Sequence, residues 1–327
     1  MLLTTITILG AVALLSFLFG TVTALYSAWA VTQPFNQLNL VKEQLTQEKL
    51  KRISQSKAVS CFVPYGSLDL LGCDSITSLE MGTSCLRPLT VLFVCLRSFE
   101  EVSSYLSPQE SVVYLNAWLA GVVPEVTSHG GIIDKLLGDT VLVFFEKPHQ
   151  AMEAALGMFK HVQLHNNTDD AEPMRLHIGM NTGDVVLGTI GTESRMETTT
   201  VGDAVNVASR MASLSHMYQT PFLCSHSTRT HLKKKSGVRF RALGPARVKG
   251  RPHPVNVCEV LDVQSEEQQT LKSASDDIFQ EAATAFADEE FGEAQRLLKL
   301  VLRHNPDDGP ALFMKQWVEK GPIKFVK

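Results

Sequence analysis

The stretch Gly130-Gly-Ile-Ile-Asp-Lys-Leu-Leu-Gly-Asp-Thr-Val-Leu-Val-Phe-Phe145 decides the fold. Two short apolar runs, Ile132 to Leu136 and Val141 to Phe145, read as β-strands closing on Gly138-Asp139. A Gly-Asp pair between β-rich runs signals a hairpin, because glycine tolerates the positive φ of a tight turn. The same turn lifts the Asp139 carboxylate to the rim of a sheet, with Lys135 four residues before it. Taken alone, this is equally an ordinary hairpin with a solvated lysine and aspartate. Its surroundings decide between the two readings.

Working outward, Leu89 to Leu96 is the first strong strand. Pro108 to Val126 carries Val112, Val113, Leu115, Leu119, Val122 and Val123 on one helical face. After the hairpin, Ala151, Ala155, Met158 and Val162 place a helix over about His149 to His165. The runs Met174 to Met180 and Asp184 to Ile190 flank Thr182-Gly183, which predicts a second hairpin. Gly202 to Ser213 reads as a helix whose opening Gly-Asp supplies a capping carboxylate. The order β-α-β-β-α-β is that of a ferredoxin-like α+β domain.

At 327 residues, 44% hydrophobic and 20% charged, the chain has globular composition and room for about two domains. Net charge is −4, and the only basic cluster is Lys233-Lys234-Lys235, so no nucleic-acid footprint is present. The cysteines Cys61, Cys73, Cys85, Cys95, Cys224 and Cys258 form no C-x-x-C and no zinc-like spacing with histidine, which fits free thiols in a reducing compartment.

Residues 2 to 31 carry no charged side chain, longer than the roughly 20 apolar residues a membrane helix needs. Ala28-Trp29-Ala30 resembles a signal-peptidase site, but a basic leader is missing and the run is long for a signal peptide, so a single anchor over residues 1–32 is expected. Lys42, Lys49, Lys51 and Arg52 place the C-terminal side in the cytoplasm. With no domain ahead of the apolar run, an extracytoplasmic sensor is not expected. Pro34 is expected to end the span. Phe35, Leu38, Val41 and Leu45 then form a helical seam, and residues 31–38 resemble the first helix of a HAMP linker, giving a juxtamembrane helix over 33–56. Residues 57–86 read as linker. From Ser273, Ala282, Ala285, Phe286, Phe291, Ala294, Leu298 and Asn305-Pro306 match tetratricopeptide spacing, a helical hairpin over 273–320 too short to stand alone. It is expected to pack on the preceding domain or on a second chain.

Three motifs carry a family resemblance. They are Asp134-Lys-Leu-Leu-Gly-Asp139, Asn181-Thr-Gly-Asp-Val-Val-Leu-Gly188 and Val201-Gly-Asp-Ala-Val-Asn-Val-Ala-Ser-Arg210. With Val248-Lys-Gly-Arg251 they resemble the catalytic domain of class III nucleotidyl cyclases, over about residues 87–262. No Walker loop or G-x-G-x-x-G competes with that reading. The resemblance implies attack of a ribose 3′-hydroxyl on the α-phosphorus of ATP, giving cyclic AMP and pyrophosphate. It also implies magnesium or manganese, and a head-to-tail homodimer or heterodimer with sites at the interface.

In such a dimer one protomer brings two metal-binding aspartates and the other brings base recognition and transition-state groups. The resemblance puts Lys135 at the adenine-selecting lysine, Thr199 at its partner position, Asn206 at the ribose-orienting residue and Arg210 at the transition-state arginine. Lys249, or failing it Arg251, falls where the triphosphate tail is held. The other half departs from the pattern. Asp139 matches one metal aspartate, but Cys95 occupies the first metal position, and magnesium favours hard oxygen donors over a thiol. Ser98 replaces a flexible glycine, and Glu100 adds negative charge where phosphates are expected. Two functions emerge as expectations: a membrane-bound adenylate cyclase, weak alone or the nucleotide-recognising half of a heterodimer, or a catalytically inactive homologue that regulates by dimerising.

Overall fold

The computed structural model describes residues 2–60, 65–73, 78–168, 172–192, 194–232, 237–247, 251 and 253–321. They divide into two compact units, one ending at residue 63 and one beginning at residue 64. The first is a single helix, α1 (Leu2–Ser60). Within it Ile8–Ala30 has a mean hydropathy of 2.2, making it the one described helix long and apolar enough to cross a membrane. The few hydroxyls in this apolar run donate back to their own helix: Ser16 to the Val12 carbonyl at 2.8 Å, Thr23 to Phe19 at 2.9 Å and Ser27 to Ala24 at 2.9 Å. That is how polar side chains are carried where water is absent. The apolar stretch ends at Ala30, four residues before Pro34, and the backbone stays helical past the proline into the charged half.

The second unit is built on an eight-stranded sheet. Its strands are β1 (Ser84–Leu96), β2 (Ile132–Leu136), β3 (Thr140–Phe145), β4 (Leu176–Thr192), β5 (Arg195–Val201), β6 (Phe222–Ser225), β7 (Phe240–Ala246) and β8 (Val255–Val260). The order is β2-β3-β1-β4-β6-β8-β7, with β5 paired to β4 outside that path. Among the described strands only β4 and β6 run parallel. The first four strands in this order reproduce the ferredoxin-like arrangement that the alternation of strands and helices implies.

Side chains alternate along β1, so its two faces build different cores. Leu92, Val94 and Leu96 pack under α4 (Pro108–Ser128) and α5 (Pro148–Asn166), with Trp118, Val122, Met152 and Met158. Leu89 and Val91 point the other way, against α6 (Asp203–Met217), with Val185, Leu187, Ala204 and Ala208. Helix α4 starts on a full capping box, Ser107 and Glu110 each bonding the other's backbone N–H.

The second hairpin expected at Thr182-Gly183 is absent. β4 runs unbroken through both residues, paired with β1 from Ser84↔Gly188 to Leu96↔Leu176. Gly183 serves close packing and not a turn: a Cβ there would lie 3.1 Å from the Ala204 Cβ of α6, a tight contact. Thr182 bonds sideways to Thr90 at 3.0 Å. The segment read as linker also holds structure. Within it α2 (Tyr65–Leu71) lays Leu70 into the core with Leu89, Val91 and Phe144.

The helical tail is more than a hairpin. Beyond β8 come α8 (Glu266–Ala274), α9 (Asp276–Ala287), α10 (Phe291–His304) and α11 (Gly309–Lys320). Phe279, Ala282, Leu298, Val301 and Met314 share one core with Val207, Met211 and Leu214 of α6 and with Leu243 and Val257 of the sheet. A buried ionic network ties the two parts. Arg241, 1% exposed, meets Asp308 at 2.6 Å and Asp276 at 3.3 Å and lies 3.6 Å over the Phe279 ring. Glu259, fully buried, is met at 2.5 Å by Lys272 and at 2.5 Å by the Thr220 hydroxyl.

Candidate functional site

The hairpin of Gly130 to Phe145 forms as expected, β2 and β3 meeting at Gly138 with φ +69. It contains one irregularity that alternation could not foretell, a register shift between Ile133 and Lys135. A bulge of this kind re-aims side chains. Asp134 turns inward to Ser67 of α2, 3.4 Å away, and one of its carboxylate oxygens finds no partner. Burial pushes its carboxyl up to about 6, with the Lys135 charge and the Ser67 bond pulling the other way.

Lys135 itself reaches out. Its Nζ lies 2.7 Å from Glu197 Oε1 on β5, a residue that no sequence motif singles out. The Lys135 hydrogen bond, and then its charge, hold the Glu197 carboxyl below its usual range. Thr199, half-buried, follows two residues later on the same strand, opposite Gly188. The period of two was the available signal: Glu197 and Thr199 must share a face.

Cys95 and Asp139 come together at the turn of that hairpin. β1 and β3 pair Cys95 with Thr140, and the Leu96 amide donates to the Asp139 carbonyl at 2.8 Å. The Thr140 hydroxyl stands between the two, 3.4 Å from Cys95 Sγ and 3.1 Å from Asp139 Oδ1. Its single proton serves one of them at a time. Burial pushes the Cys95 thiol up and Asp139 adds to it, against the Thr140 bond and the Arg97 charge. A neutral thiol beside one carboxylate is a poor magnesium site. Among the described residues no group of three or more His, Cys, Asp or Glu is placed to hold a metal ion. Cys95 and Asp139, a thiol and one carboxylate, do not fit a two-metal centre.

In the turn after β1, the serine that stands in place of the family's glycine is tied down by hydrogen bonds. Ser98 is buried, 2.7 Å from the Tyr114 hydroxyl, and accepts the Arg175 amide at 3.1 Å. Helix α3 (Phe99–Val102) starts there, and Glu100 swings into solvent, 3.9 Å from Arg97. Beside Cys95 on β4, His177 bonds Ser215 at 3.0 Å, and burial with the nearby His216, Arg97 and Arg175 lowers it to about 4.

Asn206 and Arg210 lie one helical turn apart on α6, both exposed, while Val207, Ala208 and Met211 turn inward. The carboxylate at the start of α6 does not cap it. Gly202 is the N-cap without a side-chain bond, and Asp203 instead pairs with Arg251 at 2.9 Å. Both line a polar cavity of about 640 Å³ with Asn181, Ser225 and Asn256. Lys249 and the Lys233-Lys234-Lys235 cluster lie outside the described residues. Among the described cysteines, Cys73, Cys85, Cys95, Cys224 and Cys258 are free.

Comparison with known proteins identifies the family. The family model described as the adenylate and guanylate cyclase catalytic domain matches residues 84–263. The chain belongs to that family. It is 28% identical over 276 residues to the terminal-differentiation-specific adenylate cyclase of Dictyostelium discoideum, covering 82% of this chain and 13% of that one. It is 30% identical over 227 residues to an adenylate cyclase of Anabaena cylindrica, covering 66% of this chain and 45% of the other. The chain thus spans less than half the length of either relative. A bacterial light-regulated adenylyl cyclase shares the fold, with a TM-score of 0.59 at 22% identity over 69% of this chain and 68% of that one.

Proposed function

We propose that the chain is a membrane-anchored, adenylate cyclase-like subunit, the nucleotide-recognising half of a heterodimer that forms cyclic AMP and pyrophosphate from ATP. The observation that carries this reading is the asymmetry between its two half-sites. Lys135, Thr199, Asn206 and Arg210 are present and reachable, whereas the neutral Cys95 thiol beside Asp139 is unsuited to magnesium. A homodimer repeats that defect in both of its sites. A heterodimer with a two-aspartate partner leaves one site whole.

In that site Lys135 donates to the base and Asn206 orients the ribose. Arg210, always charged, offsets charge building on the α-phosphate, where positioning and neutralisation supply most of the catalysis. Lys249 belongs at the triphosphate tail. Arg251 is held at the head of α6 by Asp203 and supports that helix. The apolar run Ile8–Ala30 is the anchor, with the charged end of α1 and the sheet in the cytoplasm.

The test mixes the full chain with an active cyclase whose own transition-state arginine is replaced by alanine. Recovered cyclic AMP synthesis supports the reading; none sinks it. The second reading, a regulatory homologue without catalysis, is favoured by the engagement of Lys135 with Glu197. It predicts that the mixture stays silent while the two chains still co-purify.

A further inference from the structure

β2 and β5 are not neighbours in the sheet, yet Lys135 and Glu197 meet at 2.7 Å across the gap between them. Strand register does not force that contact. Nor does folding depend on it: the side chains are 27% and 53% exposed, and an exposed ion pair contributes little. What the pair does create is a fixed order of hydrogen-bonding groups. An ammonium only donates and a carboxylate only accepts.

A donor beside an acceptor is the complement of a purine's Watson–Crick edge. Adenine sets its N1 acceptor beside the N6 amine. Guanine sets its O6 acceptor beside N1–H and the N2 amine, one more proton for the two oxygens of a carboxylate. Thr199, on the face of β5 that Glu197 occupies, adds a hydroxyl that both donates and accepts and so suits either base.

We infer that Glu197 is the acceptor half of the base pocket, reading purine N–H groups next to Lys135 and admitting guanine as well as adenine nucleotides. The inference rests on the nucleotide-binding reading above and adds a specificity-determining residue to it. When a purine arrives, the Lys135–Glu197 contact opens and each partner takes one group of the base edge. Glu197 then holds two N–H groups of guanine but one of adenine.

Equilibrium binding of ATP, GTP and inosine triphosphate to the full chain tests this. Inosine keeps O6 and N1–H but lacks the 2-amino group, so its affinity should fall below that of GTP in the parent protein. Glu197→Ala should move the ATP-to-GTP affinity ratio about tenfold or more toward ATP. Glu197→Gln, which turns one acceptor into a donor, should move it the same way. Glu197 is exposed, so both variants should fold. An unchanged ratio, or a shift toward GTP, overturns the role of Glu197 alone. If the parent chain binds none of the three triphosphates, the nucleotide reading falls and this inference with it.

Discussion

At the scale of single residues, the buried Asp134 and the half-buried His177 set opposing responses to pH. Asp134 titrates near 6 in the folded chain against 3.8 as its ordinary value. Between those values the folded state binds more protons, so its contribution to stability is lost as pH rises through that window. His177 titrates near 4 against 6.5, so there the unfolded state binds more protons and stability rises with pH. The two slopes largely cancel. Asp134→Asn should therefore stabilise the protein above pH 6, by on the order of 2 kcal/mol, and expose a stability that climbs from pH 4 to 6.5. Urea unfolding at several pH values checks it, and an unchanged pH profile would refute the buried-carboxyl account. Cys95→Asp addresses the chemistry directly. A second carboxylate beside Asp139 should raise homodimer cyclic AMP synthesis with manganese by about tenfold or more. Continued silence would move the fault to the buried Ser98 and its turn. Lys135, Asp139 and Cys95 were legible in sequence because the family motif is local. Glu197 and the inward turn of Asp134 were not, since both depend on a bulge and on strands brought together only by folding.

At the scale of elements, the strands and helices of the ferredoxin-like half could be read from alternation and helical period. The failure at Thr182-Gly183 is instructive. Glycine between two apolar runs signals a turn, but the same residue also serves where two backbones approach. Gly179, on the same face of β4, makes the case more strongly: a Cβ there would lie 2.1 Å from the Ala212 amide nitrogen and 2.3 Å from the Ala208 carbonyl oxygen. These are backbone atoms of α6 and cannot step aside. Gly179→Ala should cost roughly 3 kcal/mol and displace the helix that carries Asn206 and Arg210. Thermal melting should show the loss of stability. A melting point equal to that of the parent would mean that β4 and α6 are less closely packed than these distances require.

At the scale of the whole molecule, the cyclase homology and the folded unit do not share a boundary. The family match stops at residue 263, but the core it belongs to continues through α9, α10 and α11. A fragment of residues 87–262 lacks α2, the first residues of β1, and Lys272, Asp276 and Asp308. It would strip Arg241 and Glu259 of those partners and bare the apolar surface of Val207, Met211, Leu214, Leu243 and Val257 that the tail helices cover. That fragment should be insoluble or protease-sensitive, whereas residues 65–321 should give a stable product in limited proteolysis. Equal protease resistance of the two would show that the helices are dispensable. Sequence spacing announced helices in the tail and their need for a neighbour. It could not announce the salt-bridged joint, because Arg241 and Asp308 look like surface residues until both are placed.

Helix α6 has one side bedded on the tail helices and the other presenting Asn206 and Arg210. For anyone exchanging cyclase modules between proteins, that makes the homology border the wrong seam. A graft cut there would carry the ledge of Asn206 and Arg210 and leave behind the foundation that holds it level. The transplantable piece is the sheet together with its four closing helices.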